Sequence, residues 1–331
     1  MARRRRKGRS SRLGCLVTLL LIGVVAVGGF VGWNWAGPGP SPRPVTLTIR
    51  EGATLRSSAR ELEKAGAIRS APLFLRLARV FGSQKPIRAG EYEVPAGASA
   101  SSILALLQSG RTKQRFVTIP EGMPSILVYE KLMAEPLLTG PLAVPAEGSV
   151  LPDSYSFVRG DTRASVLKRM QQAMTKTLSE LWAKRKPTTV AKTPREAIIL
   201  ASIVEKETAL PSERRQVAAV YSNRLRAGML LQADPTVIYP VTKGKPLGRR
   251  ILRSELQADN GYNTYVRTGL PEGPITNPGR ASIAAVLDPA DSPALYFVAD
   301  GKGGHVFANT LDQHNANVRR YYALRRERGE M

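Results

Sequence analysis

Residues 197–208 read AIILASIVEKET. At about 100° per residue, Ile198, Ile199, Leu200, Ala201, Ile203 and Val204 cover almost the whole circumference of a helix, and a helix that is apolar all round is a buried one. Just upstream, Thr193-Pro194-Arg195-Glu196 has the form of a capping box with proline in the first helical position. The spacing therefore predicts a buried helix from Thr193 to about Thr208. Its last turn carries Glu205, Lys206 and Glu207. Glu205 falls on the face of Ile198, Ala201 and Ser202, so its carboxyl is expected to be partly desolvated, which disfavours the charged form. A general acid needs such surroundings to keep a proton near neutral pH. Spacing alone also allows a plain structural role, with Glu205 paired to an arginine or emerging at the helix end. Glu207 is the second candidate acid, and its plain alternative is a salt bridge.

Around this segment the pattern stays rich in helix. Residues 163–184 place Val166, Leu167, Met170, Met174, Leu178 and Leu181 near helical spacing. Residues 211–227 follow as another helix, with Gly228 as its stop. Asn277-Pro278 opens a short helix to about Leu287, Asn277 being read as its cap, and a last helix covers roughly residues 312–326. Residues 295–298 and 305–307 form an expected hairpin around Asp300-Gly301-Lys302-Gly303-Gly304. Nearer the N-terminus, Val45-Thr46-Leu47-Thr48-Ile49 alternates like a strand, Glu51-Gly52 turns, and residues 53–65 have helical spacing. Related strand–turn–helix units recur at 116–132 and, more loosely, at 92–107. Residues 45–118 are thus expected to form a small α+β module. Its opening resembles the LysM peptidoglycan-binding module, and a generic α+β packing unit is the alternative. Residues 119–331 form the larger, helix-rich α+β domain.

Residues 13–33 run LGCLVTLLLIGVVAVGGFVGW, 21 residues without a charge, long enough for a bilayer core. Seven basic residues precede the run (Arg3, Arg4, Arg5, Arg6, Lys7, Arg9 and Arg12), and no acid occurs before Glu51. This arm, residues 1–12, is expected on the cytoplasmic side, and Trp33 and Trp35 at the far interface. A cleaved signal peptide has an apolar region of only about 7–15 residues and a small-residue cleavage site. The longer run with no such site predicts a retained span over residues 13–35. Residues 36–44, AGPGPSPRP, read as a semi-rigid spacer. The net charge is +23, and without the arm the body still carries an excess of 16 positive charges. That body can attract nucleic acid, anionic lipid or anionic wall polymer, but the predicted topology puts it away from the chromosome and so argues against nucleic acid. The single cysteine, Cys15, excludes an internal disulfide and a cysteine-based zinc site. His305 and His314 lack the companions a metal site needs, and the 301–304 glycines sit in a hairpin turn instead of a phosphate-binding loop.

Several ordered blocks together carry a resemblance. Ala201-Ser202-Ile203-Val204-Glu205-Lys206-Glu207-Thr208 is similar to the signature of the YceG-like family, the endolytic murein transglycosylases. Leu151-Pro152-Asp153-Ser154-Tyr155-Ser156-Phe157 resembles its LPDTY-x-F segment. Val220-Tyr221-Ser222-Asn223-Arg224-Leu225 and Leu231-Gln232-Ala233-Asp234-Pro235-Thr236-Val237-Ile238-Tyr239 resemble its NRL and LQ-x-DPTVIY blocks. Tyr262-Asn263-Thr264-Tyr265, Gly269-Leu270-Pro271, Ile275-Thr276-Asn277-Pro278-Gly279, Tyr296-Phe297-Val298-Ala299 and Gly301-Lys302-Gly303-Gly304-His305 follow in the family's order. Two loop positions depart from it: Asn260-Gly261 stand where the family has Ser-Pro, and Glu272 stands within its Pro-Pro-Gly.

The resemblance implies an inner-membrane enzyme with an extracytoplasmic catalytic domain. It would cut between N-acetylmuramic acid and N-acetylglucosamine, leave a 1,6-anhydro end and have glycan polymerases as partners. It also implies Glu205 as the single acid/base, with neither cofactor nor metal. Gln232, Asn263 and Thr264 suit hydrogen bonds to sugar hydroxyl and acetamido groups, and Tyr262 and Tyr265 suit packing on pyranose faces. Asp234 is open among substrate contact, orienting a neighbour and capping the turn at Pro235. The alternative from another class is a wall-binding scaffold without turnover.

Overall fold

The computed structural model describes residues 10–329; residues 1–9, most of the basic arm, and residues 330–331 lie outside the described residues. The architecture is a helix-rich α+β one with an apolar helix at the N-terminus, and it divides between Arg115 and Phe116 into two compact units.

In the first unit, α1 covers Ser10–Ala36. Over Gly14–Ala36 it has a mean hydropathy of 2.5 and buries none of its apolar window, so by length and composition it is able to cross a membrane. At its end Trp35 turns onto the unit, its ring centroid 6.5 Å from Phe74 and 6.4 Å from Phe81. The following Pro/Gly segment does not project as a free spacer. Gly39 N–H donates to Gly97 O at 3.0 Å, Gly97 N–H to Ser41 O at 2.8 Å, and Arg69 to Pro38 O at 2.9 Å. A side chain at Gly39 would come within 2.2 Å of Ala98 O, so the strap lies flush.

Strand β1 (Val45–Ile49) pairs antiparallel with β2 (Gly90–Val94), Val45 opposite Val94. Between them lie α2 (Leu55–Lys64) and α3 (Ala71–Phe81); α4 (Ala100–Ser109) follows β2. Thr54 caps α2, with Ser57 returning the bond. The helix at 71–81 has no counterpart in the sequence reading, although Ser70 caps it and Pro72 sits in its first turn. Leu47, Ile49, Leu62, Phe74, Tyr92, Val94, Ile103 and Leu107 make the core.

In the second unit, β3 (Arg115–Thr118, which enters the unit at Phe116) pairs with β4 (Ser154–Phe157) beside α5 (Ser125–Ala134) and α6 (Arg163–Ala183). Then come α7 (Pro194–Glu207), α8 (Arg214–Arg226), α9 (Asp234–Thr242), α10 (Arg253–Gln257) and α11 (Arg280–Leu287). The hairpin of β5 (Tyr296–Ala299) with β6 (His305–Ala308) and the helix α12 (Leu311–Glu327) close the chain. All eight residues from Ala197 to Val204 are buried, and α6, α8, α9 and α11 pack around α7. Thr193 Oγ1 accepts from Glu196 N–H at 3.2 Å. Glu196 returns the bond one residue further out than a capping box places it, to Lys192 N–H at 2.7 Å. Helix α8 starts three residues later than the sequence suggests, because Thr208 Oγ1 and the Glu213 carboxylate bond to each other across the turn at 3.1 Å.

Candidate active site

Helix α7 ends because Thr208 is extended, at φ −139°, so Glu205 stands where the buried helix meets the loops around it. Ser202, wholly buried, accepts from Ile275 N–H at 3.1 Å and so ties the 275–279 segment across the helix. Gly279 N–H then donates to Glu205 Oε2 at 2.8 Å. On another side lies the Glu121-Gly122 turn. Gly122 has φ +72°, which favours glycine, and a side chain there would sit 3.5 Å from Glu205 Cγ. Arg214, at the start of α8, holds Glu121 Oε2 at 3.0 Å and stands 3.7 Å from Glu205 Oε1. The Glu205 side chain is only 5% exposed and that of Glu121 44%, so an enclosed carboxyl adjoins an open rim. Buried Arg214 Nε has no hydrogen-bond partner among the described residues.

Glu207, two residues on, meets different surroundings. Its carboxyl accepts from Tyr221 Oη at 2.8 Å. Burial pushes it up to about 7, against the Tyr221 bond, while the nearby Asp234 charge adds to the rise. Tyr221, fully buried, is raised well above the usual range by its own burial and by the Glu207 charge. The expected salt bridge is thus replaced by a bond to a phenol.

The sequence-predicted binding residues fall into four groups. Asp234 and Tyr265 are joined, Tyr265 Oη donating to Asp234 Oδ1 at 2.5 Å; Asp234 therefore orients a neighbour. Gln232 is exposed, with φ +53°, a left-handed conformation held by Gln232 N–H donating to Thr264 O at 3.0 Å. Asn263 and Thr264 are buried, at 0% and 2% exposure. The Asn263 amide donates to the carbonyls of Glu255, Leu256 and Ala258, and Thr264 Oγ1 bonds Ala233 N–H and Thr236. Their polar atoms are spent inside the protein, in contrast to the sugar contacts expected of them. Half-buried Tyr262 packs against Tyr239, ring centroids 4.8 Å apart. Among the described residues none of these six bonds to Glu205.

The structure brings in residues that the sequence reading passed over. Besides Glu121 and Arg214, Glu147 is drawn inward. Its Oε1 accepts from Ser125 N–H at 2.9 Å and from the Asn277 amide at 3.3 Å, and the Tyr239 phenol stands near enough to act on its charge. Burial raises its proton affinity, against these bonds. Asn277 does not cap α11, whose N-cap is Gly279. Asn277 is fully buried, accepting from Val150 N–H and donating to Met123 O and Ser125 Oγ. One signal was available: Glu147-Gly148 stands just before the Leu151-Pro152-Asp153 block. His305 Nδ1 lies 2.7 Å from Glu213 Oε2, and His305 N–H donates to Oε1. Burial works against the Glu213 charge, but the His305 and Thr208 bonds outweigh it and hold the carboxyl low. His314 stacks on Tyr296 at 5.2 Å. The two departures from the family pattern meet in space: Glu272 N–H donates to Gly261 O at 2.9 Å, and a side chain at Gly261 would fall 1.9 Å from Glu272 Oε2.

An endolytic murein transglycosylase of Bacillus subtilis is 28% identical over 317 residues, which cover 86% of each chain. One of Streptococcus pneumoniae is also 28% identical, over 91% of this chain, and the match takes in 63% of that longer protein. A crystal structure of a YceG-like protein from Listeria monocytogenes superposes with a TM-score of 0.50 at 27% identity, covering 83% of this chain and 99% of that one. The model of the YceG-like family matches residues 47–320, and with most of its length inside that match the chain belongs to the YceG-like family.

Proposed function

We propose that the protein is an endolytic peptidoglycan transglycosylase, a lyase held at the inner membrane by one retained N-terminal helix with its body outside the cytoplasm. It cuts nascent glycan strands between N-acetylmuramic acid and N-acetylglucosamine. The observation that carries the reading is the Glu205 carboxyl. It is enclosed at the end of a buried helix, held through Oε2 by the Gly279 N–H and faced at Oε1 by Arg214 beside an open rim. Relatives named for the same reaction over most of this chain add to it.

Glu205 gives its proton to the glycosidic oxygen as the bond from C1 breaks and an oxocarbenium-like state develops. The Gly279 N–H and Arg214 stabilise the carboxylate that remains. That carboxylate takes the proton of the muramoyl 6-hydroxyl while its oxygen bonds to C1, closing the 1,6-anhydro ring. The nucleophile is tethered to the sugar, so its attack is intramolecular, and no water is consumed. One carboxyl serves both steps, and neither step calls for a cofactor or a metal.

Tyr262 and Gln232 offer the groove a ring and an exposed amide, and Asp234 orients Tyr265. Asn263 and Thr264 shape the loop and the α9 entry from inside. The β1–α2–α3–β2 unit supports the LysM-like reading: a groove of about 620 Å³ opens beside β1 and α2, lined by Thr46, Thr48, Ser57, Glu61 and Lys64. The excess positive charge of the body suits anionic wall polymer or the membrane's outer face. Glycan polymerases are the partners such a cutter would work beside.

The test is incubation of the full chain in detergent with uncrosslinked glycan strands, followed by mass spectrometry, beside Glu205→Gln. Shorter strands with 1,6-anhydromuramic ends are expected from the wild type. Replacing the acid/base should slow their formation by roughly 1,000-fold or more. Reducing ends made by water would replace the reading with hydrolysis, and intact strands in both samples would favour a wall-binding scaffold.

A further inference from the structure

We infer that Glu147 is a positioning residue for the reaction proposed above, holding the turn that presents the Gly279 amide to Glu205. The inference rests on that reading of the site.

Glu147 sits in a loop with no helix or strand to place it, yet the loop is fixed. Gly148 has φ +75°, and a side chain there would lie 2.7 Å from Ile198 Cγ2 and 2.8 Å from Pro274 Cγ. The chain therefore runs flush against α7, and the Glu147 carboxyl turns in among Ser125, Asn277 and Tyr239. Burying a carboxyl is costly, and a well-packed apolar side chain usually stabilises as much or more. What an apolar residue lacks is acceptors at fixed positions. Glu147 supplies one acceptor to two segments, the start of α5 and the 275–279 loop, and stands beside Tyr239 of α9.

The Asn277 connection reaches Glu205 from two sides. Asn277 O accepts from Gly122 N–H at 3.1 Å, and Gly122 borders Glu205 Cγ. Two residues beyond Asn277, Gly279 N–H holds Glu205 Oε2 at 2.8 Å. A shift of the Asn277 side chain displaces both the wall and the donor. Through Tyr239, Glu147 also backs the ring of Tyr262. Glu147 thus acts on the reacting atoms only through other groups, and its loss is expected in turnover more than in binding.

The experiment compares wild type, Glu147→Gln and Glu147→Ala as full chains in detergent. It measures kcat and KM on uncrosslinked strands, and hydrogen exchange across residues 277–281 and 197–204. Both bonds go to Oε1, so Glu147→Gln can keep them by placing its amide oxygen there, whereas Glu147→Ala loses both. Glu147→Ala should lower kcat by about 100-fold, the cost of a misplacement near 1 Å, with KM little changed. Exchange at 277–281 should quicken while 197–204 stays protected. Glu147→Ala should lose more than Glu147→Gln. Wild-type kcat in Glu147→Ala, or unchanged exchange at 277–281 in that variant, would overturn the inference. So would faster exchange in both segments, since general loosening would then explain the loss. Wild-type protein that leaves strands intact would sink the reaction itself, a failure distinct from one confined to the Glu147 variants.

Discussion

Two glutamates on one turn of α7 have different neighbours, and the difference predicts different behaviour. Glu205 is held by a backbone amide and an arginine beside an open rim; Glu207 is closed in with a phenol. The Glu207 carboxyl is raised by burial from an ordinary 4.5 to about 7, and that shift is a statement about stability. Between those values the folded protein keeps a proton that the unfolded chain releases. The contribution of Glu207 is therefore full below about pH 4.5 and is lost as pH rises through about 7. At about 1.4 kcal/mol per pKa unit the loss is on the order of 3 kcal/mol. Asp234, His305, Arg224 and Tyr221 act on the same carboxyl, so they belong in the comparison. Urea unfolding of wild type and Glu207→Gln from pH 4.5 to 7.5 measures it: the variant should show a flatter profile, and equal slopes would remove the proton from Glu207. Glu207→Gln should also leave 1,6-anhydro product forming, in contrast to Glu205→Gln, which the strand assay checks.

The elements were legible where one local signal dominated. Helix α7 is legible because residues 197–204 are apolar nearly all round and Thr193 opens them as a cap, and the structure buries all eight. Thr193→Ala should therefore cost about 1 kcal/mol, read as a shift in urea midpoint. Strand β1 and the β5–β6 hairpin likewise follow from alternation and a glycine-rich turn. Helix α3 has no such local signal, since Leu73, Leu75 and Leu77 alternate along a short apolar run and only the folded unit shows that Leu77 is the buried one. At the candidate site the sequence yielded the residues of α7 and of the blocks but not their partners. Glu147, Glu121 and Arg214 come from loops and a helix start 58 to 84 residues before, or nine after, Glu205, and no spacing rule joins them. Asn263 and Thr264 show that polar type does not fix exposure, since both are buried. The pair Gly261 and Glu272 carries a further prediction. Gly261→Ala places a methyl 1.9 Å from Glu272 Oε2 and 2.4 Å from Cδ, so the carboxylate must move. The change should cost about 1 kcal/mol, and most of it should return in Gly261→Ala with Glu272→Ala. A double-mutant cycle in urea should show coupling of roughly 0.5 kcal/mol or more.

At the scale of the whole molecule the question is which side of a membrane the charge lies on. Helix α1 carries an uncharged stretch whose apolar side chains the protein does not bury, and seven basic residues precede it. Bringing that many charges across a bilayer core is far costlier than leaving them in the cytoplasm. Trp35 then turns away from the stripe to pack on Phe74 and Phe81, and the strap through Gly39 is bonded to the first unit. The helix end is thus built into the folded unit, which supports the retained anchor proposed above. The single cysteine makes this measurable. Cys15 lies near the N-terminal end of α1 and is exposed, so a chain cut after the helix would contain no thiol. Recovered protein should label once with a maleimide after denaturation. With Cys15→Ser as background, Ser41→Cys should react with a membrane-impermeant maleimide on intact spheroplasts, and Ser11→Cys only after lysis. Mature protein without a thiol would mean cleavage, and the opposite pattern of labelling would place the Glu205 site in the cytoplasm, away from its proposed substrate.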